Sequence, residues 1–158
     1  MRVAIYPGSF GPITNGHIEI LKRALTVFDK VILLLAVNPN KTSIFSVEDK
    51  LYMMEEATKG MLNVEVDYSS GLTVDYCKQK GAKHIIRGLR AVTDFEYEFQ
   101  MSSANHFLDP EIDMVFFMAS TENMFVSSST VLELWKNGAD IAPLVPDAVI
   151  KVLEKKKR

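Results

Sequence analysis

Ala4-Ile5-Tyr6-Pro7-Gly8-Ser9-Phe10-Gly11-Pro12-Ile13-Thr14-Asn15-Gly16-His17 reads as a short buried strand, a tight glycine- and proline-bearing loop, and the first turn of a helix. The backbone N–H groups of such a loop and the unsatisfied donors of a helix N-terminus point at one place, where the aligned peptide dipoles also favour an anion. That makes a phosphate site, and a nucleotide is the guest it suits. Two familiar phosphate loops do not fit. Gly11 and Gly16 have the G-x-x-x-x-G spacing, but His17 and Ile18 follow where that loop needs Lys and then Ser or Thr. There is also no G-x-G-x-x-G, so the dinucleotide fingerprint is missing. What remains is a loop ending in Thr14-x-Gly16-His17, with one imidazole at the helix start. Taken alone, a histidine there is more often a surface or packing residue than a catalytic one.

Outward from this stretch, strand and helix patterns alternate. Residues 2–6 form the first strand, and Ile18, Leu21, Leu25 and Phe28 recur at helical spacing. Residues 30–37 are a continuous aliphatic run, which suits a parallel strand covered on both faces. Ser46 with Asp49 three residues on has the look of a capping box, opening a helix with Val47, Leu51, Met54 and Ala57 inward and Gly60 as its stop. Strands are expected at 64–68, 84–87 and 113–119, with helices at 72–80, before Gly81, and at 94–108. A further helix follows Ser129, with Thr130 and Glu133 as a capping pair and Gly138 as its stop, and Pro146 opens the last. The expected fold is a doubly wound α/β domain over residues 1–158 with a five-stranded parallel sheet and right-handed crossovers. Ligands bind such sheets at the carboxyl ends of the strands. The loops holding residues 9–17, 38–45, 88–94 and 120–129 all lie at that edge.

Composition bounds the function. Of 158 residues, 24% are charged and 47% apolar, with a net charge of −2, which suits one soluble domain and gives no general attraction to nucleic acid or membranes. The Lys155-Lys156-Lys157-Arg158 run reads as a solvated helix end. No apolar segment approaches the roughly 20 residues of a membrane span, and no signal-peptide pattern opens the chain, so a cytoplasmic location is expected. Cys77 is the only cysteine, so it reads as a small buried apolar residue. His84 and His106 have no partner motif, and Trp135 reads as core or as an oligomer contact.

Three separated blocks carry a resemblance. Gly8-Ser9-Phe10-Gly11-Pro12-Ile13-Thr14-Asn15-Gly16-His17 resembles the G-[ST]-F-D-P-x-T-x-G-H signature of the T/HxGH nucleotidyltransferase superfamily, whose fold is Rossmann-like. The run from Ile86 through Arg87, Gly88, Leu89 and Arg90 to Asp94-Phe95-Glu96-Tyr97-Glu98, and Val126-Ser127-Ser128-Ser129, are similar to the two other motifs of the bacterial phosphopantetheine adenylyltransferases. The resemblance implies transfer of AMP from ATP to 4′-phosphopantetheine, giving dephospho-coenzyme A and pyrophosphate, with Mg²⁺ held mainly by ATP and water and no dedicated carboxylate cage. It also implies a homohexamer and feedback occupation by coenzyme A.

Carried onto matching positions, the resemblance makes His17 the group that stabilises the pentavalent state. Ser9 and Phe10 become nucleotide contacts, and Ser9 also reaches the acceptor phosphate. Lys41, Thr73 and Arg87 fall where the family binds phosphopantetheine. Gly88, Leu89 and Arg90 match an ATP-binding turn, and Glu98 matches a nucleotide-contacting carboxylate. Asn123, Met124, Phe125, Val126, Ser127, Ser128 and Ser129 match a loop closing over ATP. On residue type alone, Glu98 would also suit a solvated helix face, Arg87 and Arg90 surface ion pairs, Thr73 a helix-start hydroxyl, and Ser127 to Ser129 simple capping.

The chain departs from the family pattern at Gly11, where Asp is usual. Leu132 stands where many relatives place Lys or Arg, and Asn123-Met124 differs from the commoner aromatic-polar pair. Two other readings remain open: a sister transferase using nicotinamide mononucleotide, or a polyol phosphate with CTP, and a nucleotide-sensing module without turnover.

Overall fold

The computed structural model describes the backbone of residues 1–156 and their side chains except at 92 and 93. Lys157 and Arg158 of the basic run lie outside the described residues. Strands β1 (Val3–Gly8), β2 (Lys30–Ala36), β3 (Val64–Ser69), β4 (His84–Leu89) and β5 (Asp113–Met118) form one parallel sheet in the order β3-β2-β1-β4-β5. Helices α1 (Asn15–Ala24), α2 (Val47–Ala57), α3 (Thr73–Lys80), α4 (Val92–Leu108), α5 (Ser128–Lys136) and α6 (Asp147–Glu154) cover it. The chain winds outward from β1 through β2 to β3, then returns to the other side of β1 for β4 and β5. The order therefore reverses between β1 and β4.

The aliphatic runs follow from burial on both faces. Ala4, Tyr6, Val31, Leu33, Leu35 and Ile86 pack with α1, α2, α5 and α6, whereas Ile5, Ile32, Leu34 and Ile85 pack with Val74, Tyr76 and Cys77 of α3. Fully burying one such aliphatic side chain stabilises by about 2 kcal/mol. Helices as short as α3 and α6, at eight residues each, are below the length that persists alone in water. Packing on the sheet sustains them.

Several boundaries move for physical reasons. β1 runs on through Pro7 and Gly8, past the expected end at residue 6. Its Pro7 carbonyl accepts a hydrogen bond from the Arg87 side chain at 2.8 Å, so at that level β1 pairs with β2 alone and no ladder bond to β4 is lost through the missing N–H. β4 extends through Gly88 and Leu89, making these residues strand rather than turn. α1 stops at Ala24, so Phe28 is buried from the turn beyond it, and the fully buried helix face is Ile20, Leu21 and Ala24.

The caps confirm one reading and correct another. Ser46 and Asp49 form the expected box on α2. For α5, Thr130 is not the cap. Ser127 is, its hydroxyl accepting from the Thr130 N–H at 3.1 Å.

Candidate active site

His17 is fixed by the way α1 begins. Thr14, the N-cap, accepts from the His17 N–H at 3.3 Å, and its own N–H donates to His17 Nδ1 at 2.9 Å. This is a capping box with imidazole in place of the usual Glu or Gln. Since Nδ1 accepts, the proton of the neutral ring sits on Nε2. Burial pushes the imidazole down to about 4, and the guanidinium groups of Arg87 and Arg90 push the same way. At neutral pH His17 therefore presents a neutral Nε2–H donor. Its ring stands edge-on to Phe10, with centroids 5.0 Å apart, and Tyr6 lies beyond at 6.4 Å.

The loop that leads to His17 turns around Phe10. Phe10 adopts a positive φ of 39° and is 1% exposed. A β-carbon on Gly8 would lie 3.0 Å from that ring, so a side chain there would have to push the buried ring aside. Ser9, between them, is exposed.

β1 and β4 share register only at Ala4 with His84 and Ile5 with Ile85, while β1 pairs with β2 from Val3 to Gly8. Beyond Ile5 the two central strands part, and the Arg87 side chain occupies the opening. Besides its bond to the Pro7 carbonyl, Arg87 donates to both Glu98 carboxylate oxygens at 2.8–3.1 Å. Glu98 is 5% exposed. The solvated-face reading of Glu98 and the surface ion-pair reading of Arg87 are thereby corrected. This carboxylate is inside and aims a guanidinium at the switch point. Arg90, by contrast, is exposed and pairs with Asp94 at 3.2 Å.

The loop after β5 is tied to α1 by a residue that sequence reasoning missed. Glu19 accepts from the Ser120 N–H at 3.0 Å, the Ser120 hydroxyl at 2.6 Å and Asn123 Nδ2 at 2.8 Å. The Ser120 hydroxyl bond leads the effects that hold the Glu19 carboxyl below its usual range. Glu19 lies two residues after His17, but nothing in its neighbourhood in sequence marks Ser120 or Asn123 as its partners. The Ser128 hydroxyl donates to the Pro12 carbonyl at 2.7 Å, joining the start of α5 to the first loop.

The expected site residues fall into adjoining hollows. Ser9, Phe10, His17, Arg87, Gly88, Arg90, Asn123, Val126 and Ser127 line one cavity of about 170 Å³. Ser9, Thr73, Arg87 and Glu98 line a second, larger one of about 720 Å³, which also contains Tyr97, Met101 and Asn105. Lys41, Ser128 and Ser129 face a third with Ser9 and Gly11. Leu89, Met124 and Phe125 line none of these three. The last two are half-exposed at 50% and 55%.

Residues 5–134 match the family model described as cytidylyltransferase-like. The phosphopantetheine adenylyltransferase of Alkaliphilus metalliredigens is 47% identical over 99% of both chains. That of Caldanaerobacter subterraneus is 47% identical over 100% of this chain and 99% of its own, and that of Desulfatibacillum aliphaticivorans is 48% identical over 99% and 90%. The chain belongs to the phosphopantetheine adenylyltransferases. It is accordingly a nucleotidyltransferase.

In this chain the departure at Gly11 has a visible neighbour. A β-carbon there would lie 3.3 Å from Lys50 Cε, 3.5 Å from its Nζ and 3.8 Å from Ser43 Oγ. Lys50 is a second residue that sequence reading missed, since its place on α2 gives no sign that it reaches the first loop. Leu132, another departure, packs against the core and lines the third cavity.

Proposed function

We propose that this chain transfers the adenylyl group of ATP to the phosphate of 4′-phosphopantetheine, releasing pyrophosphate and forming dephospho-coenzyme A. The observation that carries this reading is the meeting of two hollows at one reacting centre. They share Ser9 and Arg87, and the neutral His17 lines the smaller one. The smaller suits the adenylate, and the larger, with Thr73 and Met101, the pantetheine arm.

An oxygen of the acceptor phosphate attacks the α-phosphorus in line. The new P–O bond forms as the bond to the β-phosphate bridging oxygen breaks, and the electron pair leaves with pyrophosphate. The acceptor oxygen is already ionised at neutral pH, so no strong base is needed, and positioning with charge stabilisation does the work. His17 Nε2–H donates to the α-phosphoryl oxygen as negative charge gathers. Arg87, held by Glu98, and Lys41 gather the acceptor phosphate. Arg90 and the N–H groups at the start of α5, residues 127–129, receive the triphosphate.

Magnesium belongs to this reading as an ion that arrives with ATP. Among the described residues no three His, Cys, Asp or Glu side chains gather in a metal cage, and Glu98 and Asp94 are each engaged by an arginine. No protein-held ion is assigned.

Around α4, Phe95, Tyr97, Phe99 and Phe107 are exposed by 48% to 85%. That exposed aromatic surface supports self-association, and the family resemblance makes the proposed assembly a homohexamer. No described helix is long and apolar enough to cross a membrane. The cytoplasm, where ATP is supplied, is the proposed compartment, with coenzyme A as a product-like feedback ligand and no nucleic-acid partner.

The test is Mg²⁺-dependent pyrophosphate release from ATP with 4′-phosphopantetheine, beside nicotinamide mononucleotide, glycerol 3-phosphate and CTP controls. Turnover with ATP and phosphopantetheine alone is expected. Turnover with another pair, or ATP binding without turnover, would overturn the reading.

A further inference from the structure

The third hollow, beside the first loop, is unusual in its charge. Lys41, Lys50 and Lys136 all line it together with Ser9, Ser128 and Ser129, and no Asp or Glu does. Among the described residues neither Lys41 nor Lys50 makes an ion pair with a carboxylate, although eight such pairs form elsewhere. Lys50 is the more constrained of the two. It reaches from α2 across the face of Gly11, where a β-carbon would lie 3.3 Å from its Cε. Burial and then the neighbouring Lys41 ammonium both disfavour its charge. Like charges held together without a counter-charge raise the energy of the empty site and lower it again when an anion enters. The amide groups at the start of α5, whose Ser128 and Ser129 line the same hollow, add to the attraction.

We infer that Lys50 is a further substrate-binding residue of the transfer, donating to phosphate oxyanions at the hollow between the Gly11 loop and the start of α5. The inference rests on the adenylyl-transfer reading for the identity of its ligands. Two phosphate groups reach this hollow through Ser9, the pyrophosphate end of the nucleotide and the phosphomonoester of the acceptor. The chemistry of recognition is the same for both.

Glycine at position 11 is what leaves the ammonium available. A carboxylate placed there would stand within bonding reach of Lys50 and take it for an internal ion pair.

The test is calorimetric titration of the full chain with inorganic pyrophosphate and, separately, with 4′-phosphopantetheine, comparing wild type, Lys50→Met and Lys50→Arg. Lys50→Met keeps the length and apolar stem of the side chain, and near-unchanged thermal unfolding will show that it folds. It is expected to weaken one of the two ligands about tenfold or more, the loss of a charged hydrogen bond, and Lys50→Arg to restore most of that affinity. A loss confined to pyrophosphate assigns Lys50 to the donor end, and one confined to phosphopantetheine assigns it to the acceptor. Equal affinities in wild type and Lys50→Met for both ligands, or no binding of either by wild type, overturn the inference. Absence of pyrophosphate release by wild type would instead defeat the reaction reading, and the pyrophosphate titration would still decide on Lys50.

Discussion

The two nitrogens of His17 are set apart by the capping box, which engages Nδ1 and leaves the proton on Nε2. Nδ1 closes the cap of α1 while the ring lines the smaller hollow, so in the proposed reaction the residue that starts the helix also carries the chemistry. Glutamine at N3 can close the same box, which makes His17→Gln an informative variant. It is expected to keep the fold and lower kcat by about 10²–10³, the usual loss for one transition-state donor, in a steady-state pyrophosphate-release assay. The same variant tests the pKa. With a folded value of about 4 against an ordinary 6.5, the unfolded chain takes up a proton between those values that the folded chain refuses. Wild type therefore loses stability as pH falls from 6.5 towards 4 and gains none from His17 above 6.5. Urea titrations across pH 4–8 should show this slope reduced in His17→Gln, and an identical slope would remove His17 as its source. At Gly11, asparagine and aspartate would both lose glycine's unfolded-state freedom, but only Gly11→Asp should gain an ion pair with Lys50. About 0.5–1 kcal/mol of stabilisation is expected, read as a raised Tm. These residue types were legible in the sequence. The tautomer, the buried state of Glu98 and the reach of Lys50 were not, because each depends on a partner from another element.

At the scale of elements, local signals were reliable where one residue had one plausible role. Ser46 with Asp49 and Gly81 after α3 do in the structure what their positions imply, with Gly81 in the left-handed region at φ 66°. In the run before α5 several hydroxyls compete, and the sequence offered both a Thr130 cap and simple capping by Ser127 to Ser129, of which Ser127 is the one observed. The choice of Ser127 goes with Ser128 turning its hydroxyl to Pro12, which fixes the start of the helix from outside. Ser127→Ala should cost about 1 kcal/mol in chemical denaturation, while Thr130→Ala, which removes no cap, should cost less. Equal losses would return the cap to Thr130. Strand ends were misjudged for a related reason. Pro7 looks like a strand breaker until the neighbouring strand is known to have parted from β1 at that level.

For the whole molecule, the exposed aromatic surface of α4 lies beside edge strand β5, whose Met118 is 68% exposed. If copies of the chain assemble through it, Phe99→Glu should lower the mass measured by light scattering without altering the far-ultraviolet circular dichroism of the subunit. An unchanged assembly would exclude this face. The sequence by itself determined the class of fold, since aliphatic runs covered on two faces require a parallel sheet with helices on both sides. It also determined the residues of the first loop, since glycine, proline and a capping threonine act on their immediate neighbours. Only the tertiary structure decided how the site is charged and braced. Arg87 with Glu98, Glu19 with Ser120 and Asn123, and Lys50 beside Gly11 are meetings between elements that the chain brings together by reversing its direction of winding at β1. Such meetings follow from the path of the backbone, and no local pattern of residues encodes it.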